Sequence, residues 1–361
     1  MSLSPFEHPF LAGLFGDAEL AALFTAEADI AAMLRFEIAL AQAEADCGVF
    51  AQETAVAIAK GLEGFKPDMD GLREGTAKDG VVIPEFVRQL RRTVGGEAAE
   101  TVHFGATSQD VIDTSLMLRL KPASDVLKDR LTLVTDALSV LAERDGARSM
   151  MGHTRMQAAI TITAADRVAS WRALLMRSTD RLASYAEQGF AVQLGGAAGT
   201  LDKLGEKGAA VRARLAEILG LADRPQWQSQ RDGLAEFAGL LSLVTGSLGK
   251  LGQDIALMAE LGGEIRLSGG GGSSAMPHKQ NPVAAELLVT LARFNATQVS
   301  AMHQALVHEQ ERSGAAWGLE WLTLPQMVMT TGVALTTANR LLGQIERMGR
   351  MPPGAERMAT S

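Results

Sequence analysis

The sequence predicts an all-α protein built on a bundle of long helices, and three observations carry that expectation. Ala, Leu, Gly and Met are abundant while aromatics make up only 5% of the 361 residues. That mix suits close-packed helices better than sheets, which favour β-branched and aromatic side chains. Five segments, 108–145, 157–188, 231–262, 282–312 and 318–346, carry long helical patterns with few breakers. No βαβ alternation, internal repeat or low-complexity tract interrupts them, and no strand is expected.

Taken in order, residues 1–25 read as irregular, with Pro5, Pro9 and two glycines. A helical period begins at Ala26 (Ile30, Met33, Leu34, Ile38, Ala41) and stops at Gly48, the expected C-cap. Shorter helices are expected near 52–62 and 84–94, separated by the polar stretch KPDMDGLREGTAKDG. Residues 1–97 therefore read as a small N-terminal helical domain, 98–346 as the central long-helix bundle and 347–361 as a short C-terminal tail. At about 1.5 Å per residue a 30-residue helix runs roughly 45 Å, longer than a small domain is wide. The apolar faces of these helices are too wide for one chain to cover, so an oligomer is expected. Pro122, inside the first long segment, should kink it or split it.

Composition excludes several function classes. A net charge of −8 with no basic stripe argues against a nucleic-acid partner. It leaves room for an anionic substrate in a locally positive pocket. A single cysteine, Cys47, rules out intramolecular disulfides and multi-cysteine metal sites, and fits a reducing cytoplasm. No Lys or Arg precedes Arg35, so no signal-peptide n-region is expected. The longest uncharged run, Trp321 to Asn339, holds Pro325, Gln326 and five threonines and is too polar for a membrane span.

Three loop-to-helix junctions carry the candidate chemistry. In VHFGATSQDVIDTSL (102–116), Thr107 or Ser108 precedes a helix, and Thr107 with Asp110 resembles a capping box. Hydroxyls and free amides at a helix N-terminus make an anion site; an ordinary helix cap is the plainer alternative. His103 lies just upstream. In MGHTRMQAAITITAADR (151–167), His153, Thr154, Arg155 and Gln157 crowd polar groups ahead of an apolar helix, and the Arg155 fork could grip a carboxylate. In SGGGGSSAMPHKQNPVAAE (268–286), glycines precede two serines, and Asn281 with Pro282 is expected to open a helix as N-cap and first residue. Lys279, Asn281 and the helix dipole could converge on one anion. A serine hydroxyl on a mobile segment serves as a base only if a cation or dipole stabilises its alkoxide, or a neighbour takes its proton. SLGK at 247–250 lies inside an expected helix, and His303 and His308 are five apart. Neither pattern supports an acylase or zinc site, and GGAAGT at 195–200 lacks the dinucleotide-binding spacing and a preceding strand, so no metal and no nucleotide cofactor is expected.

Together and in this order, the three junctions resemble the fumarase/aspartase superfamily. GSSAMPHKQNP looks like its signature loop, and HFGATSQDVIDT and GHTRMQAA like its first two shared regions; the resemblance spans roughly residues 30 to 345. It implies a homotetramer around a long central helical bundle, with each active site assembled from three subunits. It also implies a small polycarboxylate substrate and no cofactor. Carried over, Ser273 becomes the mobile-loop base or acid, and Lys279 and Asn281 stabilise the aci-carboxylate formed beside it. Thr107, Ser108, Thr154 and Gln157 would bind substrate carboxylates, with Gln109, Arg155, Ser274, Met276 and Arg312 completing the site. Whether His103 or His153 tunes Ser273 or only orients substrate stays open. Arg155 stands where the lyases of succinyl-type substrates usually carry histidine. With HEQERSGAAWGLEW (308–321) and QLGGAAGTL (193–201), it resembles the cycloisomerase branch, which lactonises a carboxymuconate. A sulfomuconate cycloisomerase, an adenylosuccinate-type β-elimination and a non-catalytic structural relative are the alternatives. Most relatives carry a further helical domain beyond the point where this chain stops, so a truncated C-terminal region is expected.

Overall fold

The computed structural model describes residues 4–272, 276 and 280–350. Two short helices, α1 (Ala12–Phe15) and α2 (Ala18–Ala21), precede α3 (Ala26–Asp46), α4 (Gln52–Gly61), α5 (Met69–Asp79) and α6 (Ile83–Val94). Then come α7 (Ser108–Asp145), a hairpin of β1 (Ser149–Thr154) and β2 (Gln157–Thr163), α8 (Ala164–Gln188) and α9 (Gly208–Leu219). The chain continues through α10 (Asp232–Leu261), β3 (Ile265–Leu267), α11 (Val283–Gln304), α12 (Gly314–Gly343) and β4 (Ile345–Met348), which pairs antiparallel with β3.

The bundle is made by α7, α8, α10, α11 and α12. Along α7, Leu120, Leu127, Leu131, Val134 and Leu138 are fully buried, the three-and-four spacing of a core-facing stripe. They share a core with Trp171 and Leu175 of α8, Leu241, Val244, Leu248 and Leu251 of α10, and Met327 and Leu335 of α12. Gly252 lets α10 and α11 meet closely, since a Cβ there would stand 2.6 Å from the Ala285 carbonyl. Among the described helices only α10 is long and apolar enough to cross a membrane, and 61% of its apolar window is buried inside the bundle. A second core joins α3, α4 and α6 to residues 192–221, through Phe36, Leu40, Ile58, Phe86, Leu90, Val192 and Leu215.

The all-α architecture with a long bundle is as expected, with local corrections. The helix expected over 157–188 starts only at Ala164, where Thr163 and Asp166 form a capping box. Residues 157–163 are instead a strand, because Ile160, Thr161, Ile162 and Thr163 are β-branched and pair with Ser149–Thr154. The polar stretch 66–80 contains α5, capped by Asp68 at its start and by left-handed Gly80 at its end. The helix expected over 282–312 ends at Gln304. Pro122 does not split α7, which runs unbroken past it between the fully buried Leu120 and Ala123.

Candidate active site

The first junction is built around a buried carboxylate. Thr107 caps α7, and Asp110 accepts its backbone N–H at 2.9 Å, completing the expected capping box. The same carboxylate accepts from Gln193 Nε2 (2.9 Å) and from the backbone N–H of Gly195 (2.8 Å) and Gly196 (2.9 Å). Burial pushes the Asp110 carboxyl up to about 6 against the pull of these four donors. Asp110 thus ties the 193–201 segment to the helix start. At Gly196 (φ 68°) a Cβ would stand 2.9 Å from the Gly105 carbonyl, so only glycine permits this approach. Gln109 is fully buried; its Nε2 donates to the Gln228 carbonyl at 2.7 Å and its Oε1 accepts from Arg312 Nε at 3.1 Å. Arg312 also reaches the Ala197 carbonyl at 3.2 Å. Gln109 and Arg312, both expected in the site, therefore meet here and brace it. Thr107 and Ser108 are half-buried above them, and the ring of His103 lies against Glu37, with Nδ1 2.7 Å from Oε1.

The second junction is the β1–β2 hairpin. Thr154 pairs with Gln157 across a two-residue turn whose central residues, Arg155 (φ 47°) and Met156 (φ 64°), are both left-handed. Two positive φ values match the right-handed twist of the flanking strands. The tip presents the Arg155 guanidinium outward between Thr154 and Gln157, and residues 153–161 are all exposed. His153 and Arg155 line a cavity of about 680 Å³ with Arg167, Lys250 and Asp254. Ile160 (71% exposed) and Met156 (75%) leave apolar surface uncovered on the same hairpin.

At the third junction, Gly271 and Asn281 exchange two backbone hydrogen bonds of 2.9 Å, drawing together the two ends of the 272–280 segment. Ser273, Ser274 and Lys279 lie outside the described residues; Met276 is described and exposed. The expected cap is corrected by one residue. Pro282 takes the N-cap position and α11 begins at Val283, because the Asn281 carbonyl and N–H are held by Gly271. Among the described residues no group of His, Cys, Asp and Glu side chains is arranged to hold a metal ion.

These three places do not meet within one chain. Helix α7 has 38 residues, which at about 1.5 Å each span roughly 57 Å. Thr107 and Ser108 stand at its start; the hairpin follows its end. The Gly271–Asn281 pair belongs to the hairpin's end, through a run of contacts: Ser268 N–H to Gln344 (2.7 Å), Met348 N–H to Asp145 (2.8 Å) and Arg350 N–H to Ser149 (2.7 Å). A hairpin whose strands have six and seven residues reaches only about 20 Å back.

A family model described as lyase matches residues 15–299. The chain belongs to the fumarase/aspartase superfamily. A superfamily relative from Pseudomonas aeruginosa, 3-carboxy-cis,cis-muconate cycloisomerase, is 38% identical over 340 residues, covering 92% of this chain and 74% of that protein. The crystal structure of 3-carboxy-cis,cis-muconate lactonizing enzyme from Pseudomonas putida superposes with a TM-score of 0.86 at 34% identity, covering 94% of this chain and 77% of that one. Another superfamily relative, N-acetyl-S-(2-succino)cysteine lyase from Enterococcus italicus, is 35% identical over 318 residues, covering 87% of this chain and 70% of that protein. The chain is an enzyme of this lyase and cycloisomerase group.

Proposed function

We propose that the enzyme is a 3-carboxy-cis,cis-muconate cycloisomerase that works as a homotetramer, each active site drawing on both ends of the bundle from different chains. The observation that carries this reading is the likeness, over 92% of the chain, to the Pseudomonas aeruginosa enzyme of that name. It is supported by an arginine fork at the hairpin tip, apt for a substrate with three carboxylates. In the reaction one substrate carboxylate oxygen adds across a conjugated double bond, forming the lactone C–O bond. The electron pair moves into an adjacent carboxylate as an enediolate. Ser273 then donates its proton to the carbon beside that carboxylate and regains one from solvent, so the tricarboxylate takes up one proton as it becomes the lactone dicarboxylate. Lys279, Asn281 and helix N-termini stabilise the enediolate, where preorganised donors act most strongly. Thr107, Ser108, Thr154, Arg155 and Gln157 hold the remaining carboxylates.

The same apparatus run backwards is a β-elimination from a succinyl group, which the likeness to the succinocysteine lyase favours as a second reading. An ultraviolet assay with 3-carboxymuconate, 3-sulfomuconate, adenylosuccinate and N-acetyl-S-(2-succino)cysteine separates the readings. Turnover of the carboxymuconate is expected; turnover of a succinyl substrate alone would overturn the assignment. Ser273→Ala should lower kcat by roughly 10²- to 10⁴-fold with the oligomer intact, and unchanged turnover would remove Ser273 from its role.

A further inference from the structure

Glu37 occupies the apolar stripe of α3 beside Met33, Phe36 and Leu40, with its side chain fully buried. Its Oε1 stands 2.7 Å from His103 Nδ1, and its Oε2 is buried with no hydrogen-bond partner among the described residues. His103 meets it by adopting φ 65°, a left-handed conformation that non-glycine residues seldom take. Such strain persists only where the surroundings impose it, and here they do. Arg91 donates to the Val102 carbonyl at 3.0 Å on one side of His103, and Thr107 donates to Asp110 on the other. The His103 side chain stays 14% exposed, and its Nε2 has no hydrogen-bond partner among the described residues.

We propose that Glu37 is a positioning residue that holds His103 as an imidazolium, with Nε2–H presented beside Thr107 and Ser108 to bind a substrate carboxylate. This rests on the reading of the α7 start as a carboxylate subsite, and it makes His103 a binding cation rather than the base that activates Ser273. With both ring nitrogens protonated, Nδ1–H donates to Glu37 and Nε2–H remains for the substrate. The charged groups around the ring agree. Burial opposes the cation, but Glu37 from α3, by charge and hydrogen bond, and Asp110 from α7 outweigh it and the repulsion of Arg91 on α6. The result is a His103 pKa raised above the ordinary histidine value. Glu44, two turns along α3, adds no competing anion at neutral pH, because burial and then Glu37 push its carboxyl up to about 9.

The test is Glu37→Gln, which keeps the shape and an acceptor but removes the charge. His103 is followed by NMR of the full-length protein carrying ¹³C-labelled histidine, its signal identified with His103→Gln. Binding of tricarballylate, a non-reacting tricarboxylate, is measured by calorimetry from pH 6 to 8.5. A raised pKa keeps the imidazolium below it and loses it as pH rises through it, so the Glu37→Gln titration should move to lower pH. Tricarballylate affinity at pH 7.5 should then fall roughly ten-fold or more, as for loss of a hydrogen bond to a charged group. The loss should shrink as pH is lowered towards 6, as the variant's ring regains its proton. With substrate, KM should carry the change and kcat little of it. An unmoved His103 titration, or an equal loss of affinity at every pH, would overturn the role of Glu37. Failure of wild-type protein to bind tricarballylate would instead overturn the polycarboxylate reading, so the two failures are told apart. If Glu37→Gln does not fold, His103→Gln decides: it should abolish the pH dependence of tricarballylate binding, and an unchanged dependence refutes the proposal.

Discussion

Arg231 offers the sharpest stability prediction, because two buried carboxylates share its one guanidinium. Arg231 donates to both Asp113 oxygens (2.6 and 3.0 Å) and both Glu320 oxygens (2.9 and 2.6 Å). Their side chains are at most 1% exposed. Trp317 Nε1 adds a hydrogen bond to Asp113 at 3.0 Å, and the guanidinium stacks 4.8 Å from the Trp227 ring. Arg231→Met would leave two carboxylates buried without their cation. Removing one partner of such a group costs about 3–5 kcal/mol, most of it the price of the uncompensated charge. For a chain of 361 residues, an unfolding entropy of about 0.8 kcal/mol/K turns that into a Tm lowered by roughly 4–7 °C. The assay is calorimetry of wild type and variant at one fixed protein concentration, since assembly also shifts Tm. Replacing all three charges, Arg231→Met with Asp113→Leu and Glu320→Met, should recover most of the loss, because apolar packing often replaces a buried ionic cluster without penalty. A single variant within about 1 kcal/mol of wild type, or a triple variant no better than the single, would refute this account.

Other expectations follow from the same structure. Glu44 keeps its proton in the folded chain up to about pH 9, whereas the unfolded chain releases it near its ordinary value. Folding therefore takes up a proton, and stability falls as pH rises from about 4.5 towards 9, by roughly 3 kcal/mol at pH 7; Glu44→Gln should flatten that slope in urea titrations, and an unaltered slope would contradict it. Gly196→Ala places a methyl group against the Gly105 carbonyl at a positive φ, so it should cost about 1–3 kcal/mol and lower activity by loosening the α7 cap. A Tm equal to wild type would show that the two loops do not depend on that contact.

How much was legible in the sequence varies from element to element. The starts of α7 and α10, and the capping box of Thr107 and Asp110, follow directly from the chain, since breakers are few and caps are local. The hairpin was hidden because Gln157 to Thr163 runs without a break into the true helix start, and two alanines blur the two-residue alternation of Ile160 and Ile162. Helix α5 escaped notice because it buries little besides Leu72; its caps, Asp68 and Gly80, were the available signal. The role of Asn281 changed because its backbone pairs with Gly271, a contact no local pattern announces. Glu37 was missed although the sequence carries its mark: it and Glu44, seven residues apart, interrupt the apolar stripe of α3. A buried acid at a core position asks for a partner, but the partner, His103, is 66 residues away and only folding reveals it. Arg312 was expected near substrate, and the fold adds that it grips Gln109 and Ala197.

The central claim is that the active site joins opposite ends of different chains, and hybrid oligomers test it most directly. A variant defective at the α7 start, Thr107→Ala with Ser108→Ala, and the loop variant Ser273→Ala should each be inactive alone. Co-assembled in equal amounts, they should regain roughly one quarter of wild-type activity, since independent assortment of chains around a symmetric assembly gives that share of sites both halves intact. Hybrid oligomers with no more activity than either variant would contradict a shared site and return the chemistry to a single chain.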